Sequence, residues 1–171
     1  MLAYKFTRRG ARSPFTGFEW PVGEWIEVDG EVGLCENGIH ACRVDALPRW
    51  LDDELWRVEV DDVADERDGV VIAARARLLE RIDAWNEQAS RELGRASAAR
   101  ALELADRVPD PLVRARATMI AAIAESPNPS ATALTLYTTA LTYDDVDPGN
   151  YYEERRWQAE WLRERLHLDD A

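Results

Sequence analysis

Only two cysteines and two histidines occur in the 171 residues. With no stretch that reads as a secretory signal, two thiols point to a cytoplasmic protein rather than a disulfide-stapled secreted one. Basic residues are few beside the acids: 21 Lys and Arg face 33 Asp and Glu, a net charge of −12. That balance argues against a general nucleic-acid binder and against an anionic-membrane binder, both of which need basic surface. No apolar run approaches the roughly 20 residues that span a bilayer. Neither the Gly-rich phosphate loop that ends in Lys-Ser/Thr nor a Gly-x-Gly-x-x-Gly turn is present, which disfavours P-loop and Rossmann nucleotide sites. His-Glu-x-x-His and Gly-x-Ser-x-Gly are missing as well. No pair of carboxylates is marked by spacing as an acid–base couple.

What remains is an ordinary globular composition, 46% hydrophobic and 32% charged, with seven tryptophans. The length predicts one domain over 1–171, with room for a core. Its character changes near Ile82. A β-rich half covers 1–81 and a helical half covers 82–171.

The chemistry concentrates in Gly33-Leu34-Cys35-Glu36-Asn37-Gly38-Ile39-His40-Ala41-Cys42, which holds both cysteines. Asn37-Gly38 is a turn signal, because both residues tolerate positive φ. In flanking strands His40 and Cys42 would share one face, with Ile39 and Ala41 on the other. A tight hairpin would bring Cys35 near His40. Three readings stay open: buried apolar thiols beside a hydrogen-bonded histidine, His40 as an acid–base group on a pocket wall, and a zinc site. Zinc would need a fourth ligand, and Cys-x4-His-x-Cys is not a usual ligand spacing. A Cys35–Cys42 disulfide fits across a hairpin but not in a reducing compartment. A Cys/His nucleophile pair lacks a third, orienting residue.

Elsewhere in the β-rich half, alternation predicts strands at Leu2–Phe6, Glu24–Val28 and Leu55–Val60, and β-branching predicts one at Val70–Ala74. Arg75–Leu79 either continues that strand or opens a helix. Val44–Leu51 has helical spacing, cut short by Pro48. Asp61–Gly69 reads as an acidic loop. Arg8, Arg9 and Arg12 sit in a loop, either solvated or poised as an anion clamp. The helical half divides into Ile82–Leu93 interrupted at Gly94, Ser97–Val108, Leu112–Glu125, a helix capped by Ser130 running to about Tyr143, and Tyr151–Leu166. In the last, Trp157, Trp161, Leu162 and Leu166 form a stripe expected to be core. His167, in its last turn, reads as structural or exposed.

Tyr4-Lys5, the Cys-x-x-Gly-x-His-x-Cys core over 35–42 and the strand Trp56-Arg57-Val58-Glu59-Val60 together resemble a small bacterial and phage domain of unknown function. The longer layout includes Leu47-Pro48-Arg49-Trp50, Arg77-Leu78-Leu79 and Asp83-Ala84-Trp85, and it is similar to actinobacterial proteins of unknown function. Glu154-Arg155-Arg156-Trp157-Gln158 is similar to the closing helix of immunity-like helical proteins. The order of strands around Gly38-Ile39-His40-Ala41 also resembles the nicotinamide-binding half of ADP-ribosyltransferases. Neither that family's first-strand His or Arg nor its catalytic Glu is located in this sequence.

The expected fold is α+β, a small, mainly antiparallel N-terminal sheet packed against a C-terminal helical bundle. The expected function is a metal-independent small-molecule site at the sheet–helix junction, catalytic or binding only. His40 is the candidate catalytic residue. Tyr4, Trp20, Trp56, Arg75 and Arg77 are candidate walls, with the Arg8–Arg12 loop as a lid. No cofactor, nucleic acid or membrane partner is expected. The alternatives are a protein–protein module such as an immunity or regulatory partner, and an ADP-ribosyltransferase-like protein that handles NAD.

Overall fold

A computed structural model of the protein describes residues 1–33 and 37–169. Its order is β1 (Leu2–Thr7), β2 (Ile26–Glu27), β3 (Ile39–Cys42), a 3-10 helix (Val44–Arg49), β4 (Glu54–Arg67), β5 (Val70–Arg81), α1 (Glu87–Arg107), α2 (Pro111–Ile123), α3 (Pro129–Val146) and α4 (Asn150–Leu166). The architecture is therefore α+β, with an antiparallel sheet in the first half and four helices in the second.

The sheet closes on itself. β1 pairs with β3 and β4, and β5 pairs with β3 and β4 as well, while β2 joins the ring through β5. Closure depends on the length of the β4–β5 hairpin. Its first half offers β4 to β1 at Glu54–Glu59, and its far end offers β5 to β3 at Val70–Ala73. Register shifts between Arg57 and Val58, and between Val63 and Asp65, bend it, as bulges do. The hairpin turns at Asp68-Gly69, both at positive φ, the conformation a tight primed turn demands. Glycine is required there for a second reason, since a β-carbon would collide with the Asp45 carboxylate.

Alternation along the strands sorts the side chains into two cores. Ala3, Ile39, Ala41, Trp56, Val58 and Val60 pack together with Ala11 and Trp20 from the loop after β1. Tyr4, Phe6, Cys42 and Leu55 face the other way, onto Leu47, Trp85, Leu93, Leu136 and Leu162. The second core joins the sheet, the 3-10 helix and α1, α3 and α4. A third lies within the bundle, around Leu104, Ala117 and Ile120.

Several boundaries differ from the sequence expectation. Asp61–Arg67 is strand, not loop. Its side chains are mostly exposed, so no apolar alternation marks it, and backbone pairing to β5 holds it. Arg75–Leu79 continues β5. Residues 82–86 precede α1, which Asn86 caps by accepting from the Gln88 and Ala89 amides. Gly94 does not break α1; it is buried where the helix passes Ala124 and Thr132. Asn128, not Ser130, caps α3, with Pro129 in the first turn, as suits a residue without an N–H.

The α4 stripe is also different. Its buried face carries Glu154, Arg155, Gln158, Ala159, Leu162 and Leu166, and Trp157 and Trp161 flank it, half-buried. The buried polar groups satisfy one another. Arg100 of α1 donates to Glu154 at 2.9 Å, Arg155 donates to Gln158 Oε1 at 3.0 Å and to the Pro48 carbonyl at 3.3 Å, and Gln158 donates to the Leu136 carbonyl at 3.0 Å. His167 ends α4 in a left-handed, exposed position. No helix among the described residues is long and apolar enough to cross a membrane.

Candidate functional site

The site begins where two strands part. Tyr4 and Cys42 are the register pair between β1 and β3. Continued pairing would set Phe6 opposite His40. Instead the strands separate, and a cavity of about 730 Å³ opens beside them. Lys5, Phe6, Ile39, His40 and Cys42 line its strand side. Phe15, Phe18 and Trp20 from the loop after β1, with Ile26 and Trp50, surround it. The wall is thus mostly apolar, with five Phe and Trp rings in it. Phe15 meets the Trp50 ring edge-on at 6.4 Å, and Phe18 meets Trp20 in the same way at 5.9 Å.

Glu54 holds the loop that carries these aromatic residues. It accepts from the backbone amides of Gly10 and Ala11 at 3.1 and 3.0 Å and from the Trp56 indole at 3.2 Å. Burial alone would raise its carboxyl, but the Ala11 and Gly10 amides, the Trp56 indole and Arg81 bring it below the usual value. Trp20 is fixed in turn by donating to the Ser13 hydroxyl at 2.9 Å.

Lys5 is the cation of the cavity and the only lysine in the chain. Its Nζ donates to the His40 backbone carbonyl at 2.6 Å and lies 5.2 Å from the centroid of the Trp20 ring. Among the described residues no carboxylate pairs with it. Burial lowers its ammonium from 10.5 to about 8, slightly offset by the nearby Cys42. His40 is likewise lowered, first by burial and then by the Lys5 charge, against a hydrogen bond with the Gly38 backbone. Both effects favour the neutral imidazole. Cys42 is buried, and its thiol is pushed up to about 12, chiefly by burial. A thiol so protonated is a poor nucleophile.

Of the residues expected as walls, His40 and Trp20 line the cavity. Tyr4 does not. It is fully buried in the core under the helices, and its hydroxyl donates to the Asp169 carbonyl at 3.2 Å. Trp56 packs in the core on the opposite face of the sheet from Tyr4. Arg75 and Arg77 pair with Asp61 and Glu59 and bracket the Trp25 ring, each guanidinium 4.9 Å from its centroid. Arg9 pairs with Asp53 and Glu87, and Arg12 with Glu19. The loop segment that borders the cavity is Ser13–Thr16 rather than Arg8–Arg12.

Asn37-Gly38 is not the tip of a hairpin, because Gly33 and Asn37 bridge each other directly. Cys35 lies outside the described residues, so the trio Cys35, His40 and Cys42 is not placed. Among the described residues no three His, Cys, Asp or Glu side chains are grouped to hold a metal ion. Among the described residues none that lines the cavity comes from α1–α4, so it sits in the sheet half rather than between sheet and helices.

Lys5 is the residue that sequence reasoning missed. Its signal was its singularity among 21 basic residues, on a strand with alternating apolar neighbours.

Residues 1–89 match the family described as a domain of unknown function, DUF7666, and the protein belongs to that family. No curated protein and no solved structure matches the chain. The matched segment contains the entire sheet and every residue named above as lining the cavity, and it stops three residues into α1. The cavity therefore lies within the matched segment, and most of the helical bundle lies beyond it.

Proposed function

We propose that the protein is a cytoplasmic small-molecule-binding protein whose ligand occupies the cavity between β1 and β3. The reading rests on one observation: the Lys5 ammonium stands in a mostly apolar wall with no carboxylate partner among the described residues, the Glu27 carboxylate of the same cavity being paired with Arg75. A half-buried cation without a counter-ion is costly. A ligand that brings an oxygen-bearing headgroup to Lys5 and His40 would repay that cost, with an apolar body against Phe15, Trp20 and Trp50. The volume lies within the usual range for sites of drug-sized ligands, about 300–1,000 Å³. The free, buried thiol of Cys42 suits a reducing compartment. The resemblance of the strands and the 35–42 core to bacterial and phage sequences supports a bacterial source, and the longer layout an actinobacterial one. Acidic surface favours a small ligand over nucleic acid or an anionic membrane.

The test is a binding titration with 1-naphthylmethanol, read by quenching of tryptophan fluorescence. Trp20→Phe should remove most of the quench, and Lys5→Met should weaken binding about tenfold with the fold intact, roughly one charge-assisted hydrogen bond. His40→Ala should weaken binding without a large fall in melting temperature. A His40→Ala protein that melts much lower yet binds unchanged would overturn a ligand role for this side chain. Absence of any quench would overturn the proposed site.

A further inference from the structure

We infer that Lys5 captures carbonyl compounds covalently, as an imine, in the cavity between β1 and β3, with His40 moving the proton. This rests on that cavity being a ligand site and names the class of compound it takes: an aldehyde or ketone on an aromatic or aliphatic body.

The geometry supplies the parts. A neutral Lys5 amine can keep one N–H on the His40 carbonyl, where Nζ already sits at 2.6 Å. That bond fixes the nitrogen, and its lone pair remains free to point into the cavity. The ammonium has no carboxylate among the described residues to hold it charged, and the aromatic wall lowers its proton affinity to about 8, so a useful fraction is free base near neutral pH. This is how buried lysines become nucleophiles. His40 lines the same cavity, and burial and the Lys5 charge lower its imidazole, which favours the neutral ring that can accept or return a proton.

The step balances without an oxidant or reductant. The Lys5 lone pair forms the C–N bond as the carbonyl π electrons move onto oxygen. One N–H proton passes through His40 to that oxygen, giving the carbinolamine. A second proton transfer expels the oxygen as water, and the C=N bond forms. Amine and carbonyl become imine and water.

The chain suits a direct test because it carries only two amines, Lys5 and the α-amino group of Met1. The Met1 amine donates to the Val60 carbonyl at 2.7 Å, away from the cavity. The 171-residue protein is incubated with 1-naphthaldehyde and sodium cyanoborohydride, and adducts are located by intact mass and peptide mapping. The expected result is one adduct at Lys5, formed at least about tenfold faster than any at Met1, with 1-naphthylmethanol slowing it by competition. Lys5→Arg should abolish labelling at position 5. His40→Ala should slow it by about 10²-fold, the lower end for loss of an acid–base group. His40→Ala should also flatten the rate against pH, an effect that loss of packing would not produce. Labelling confined to Met1 while 1-naphthylmethanol still quenches tryptophan fluorescence would overturn the imine and leave the binding site standing. Neither quenching nor a Lys5 adduct would overturn both.

Discussion

The Lys5 side chain spans the gap between β1 and β3 to reach the His40 backbone carbonyl at 2.6 Å. A side chain thereby takes the place of a ladder bond at the point where the two strands part, and a titratable group stands where the β1–β3 pairing stops.

That position has a signature in the pH dependence of stability. Burial brings Lys5 from 10.5 to about 8 in the folded protein. Between about 8 and 10.5 the unfolded chain therefore binds more protons than the folded one. The residue's contribution to stability rises with pH through that window, and the cost of its buried charge is fully present below it. Denaturant unfolding of the wild type and of Lys5→Met, at pH 7 and pH 10, isolates the effect, since the other groups cancel in the difference. The wild type should gain on the variant as pH rises. A difference that stays level would show that the ammonium is as well solvated in the fold as in water.

Glu54 should control the cavity from behind. It accepts from the Gly10 and Ala11 amides and is held below its usual pKa. The stability it contributes is present above the unfolded value near 4.5 and is lost as pH falls through the folded one. Glu54→Ala leaves two amides and the Trp56 indole without their acceptor, at a cost of about 1–3 kcal/mol. Hydrogen exchange should then speed up at Gly10 and Ala11, and binding at Trp20 should weaken with it. Unchanged exchange at those amides would remove Glu54 from this role.

How much of this was legible in the sequence depends on what sets each feature. Local rules place the starts of α2 and α3 to within a residue or two of Pro111 and Pro129, but not the α3 cap, which is Asn128 where Ser130 is expected. The strands at Leu55–Val60 and Val70–Ala74 show in their β-branched and alternating residues. Register does not show. Tyr4 and Lys5 are neighbours on one strand, and which of them faces a cavity depends on the partners of β1. A shift of one residue exchanges every side chain between faces. Tyr4 shares its parity with Phe6, yet Phe6 lines the cavity while Tyr4, where β1 still pairs with β3, is buried under the helices. The same limit applies to Asp61–Arg67, whose strand character is imposed by β5. It applies again to α4, where Trp157 and Trp161 carry the obvious apolar signal while Glu154, Arg155 and Gln158 are the residues that go inside. A polar side chain is buried only where its partners are, and Arg100, Pro48 and Leu136 are 22 to 107 residues away.

The Glu154–Arg100 pair gives a prediction of its own. Glu154 is fully buried and its carboxyl is raised, mainly by burial and against the pull of Arg100. Removing the cation leaves that carboxylate unpaired, typically a loss of about 3–5 kcal/mol for a buried pair. Arg100→Met should therefore destabilise strongly at pH 7. The loss should shrink toward pH 5, because a raised carboxyl takes up its proton in the fold before it would in the unfolded chain, and a neutral acid needs no counter-ion. Denaturant melts of the variant at the two pH values measure this. An equal loss at both would mean that packing of the Arg100 stem on Trp157 and Tyr143, whose ring centroids lie 4.3 and 5.5 Å from its guanidinium, dominates over charge.

The two halves are expected to fold as one unit, although the family match ends at Ala89. The reasoning turns on where the apolar surface of the helices goes. α4 buries Leu162 and Leu166 in the same core as Tyr4, Phe6 and Leu55, and α1 sends Ala89 and Leu93 there too. Arg155 reaches the Pro48 carbonyl, and the Tyr4 hydroxyl reaches Asp169. A fragment covering 82–171 would expose that whole face and orphan those partners. It would keep the core around Leu104, Ala117 and Ile120, which ties α1 to α2 with Tyr143 and Val146 of α3 packed against it. Helices of this length gain most of their stability from packing, not propensity. Circular dichroism of the fragment should show reduced helicity and a broad, weakly cooperative melt, with α4 the first segment to exchange its amides. A sharp melt near that of the whole protein would instead make the bundle a second domain, appended to a DUF7666 fold that closes its core by other means.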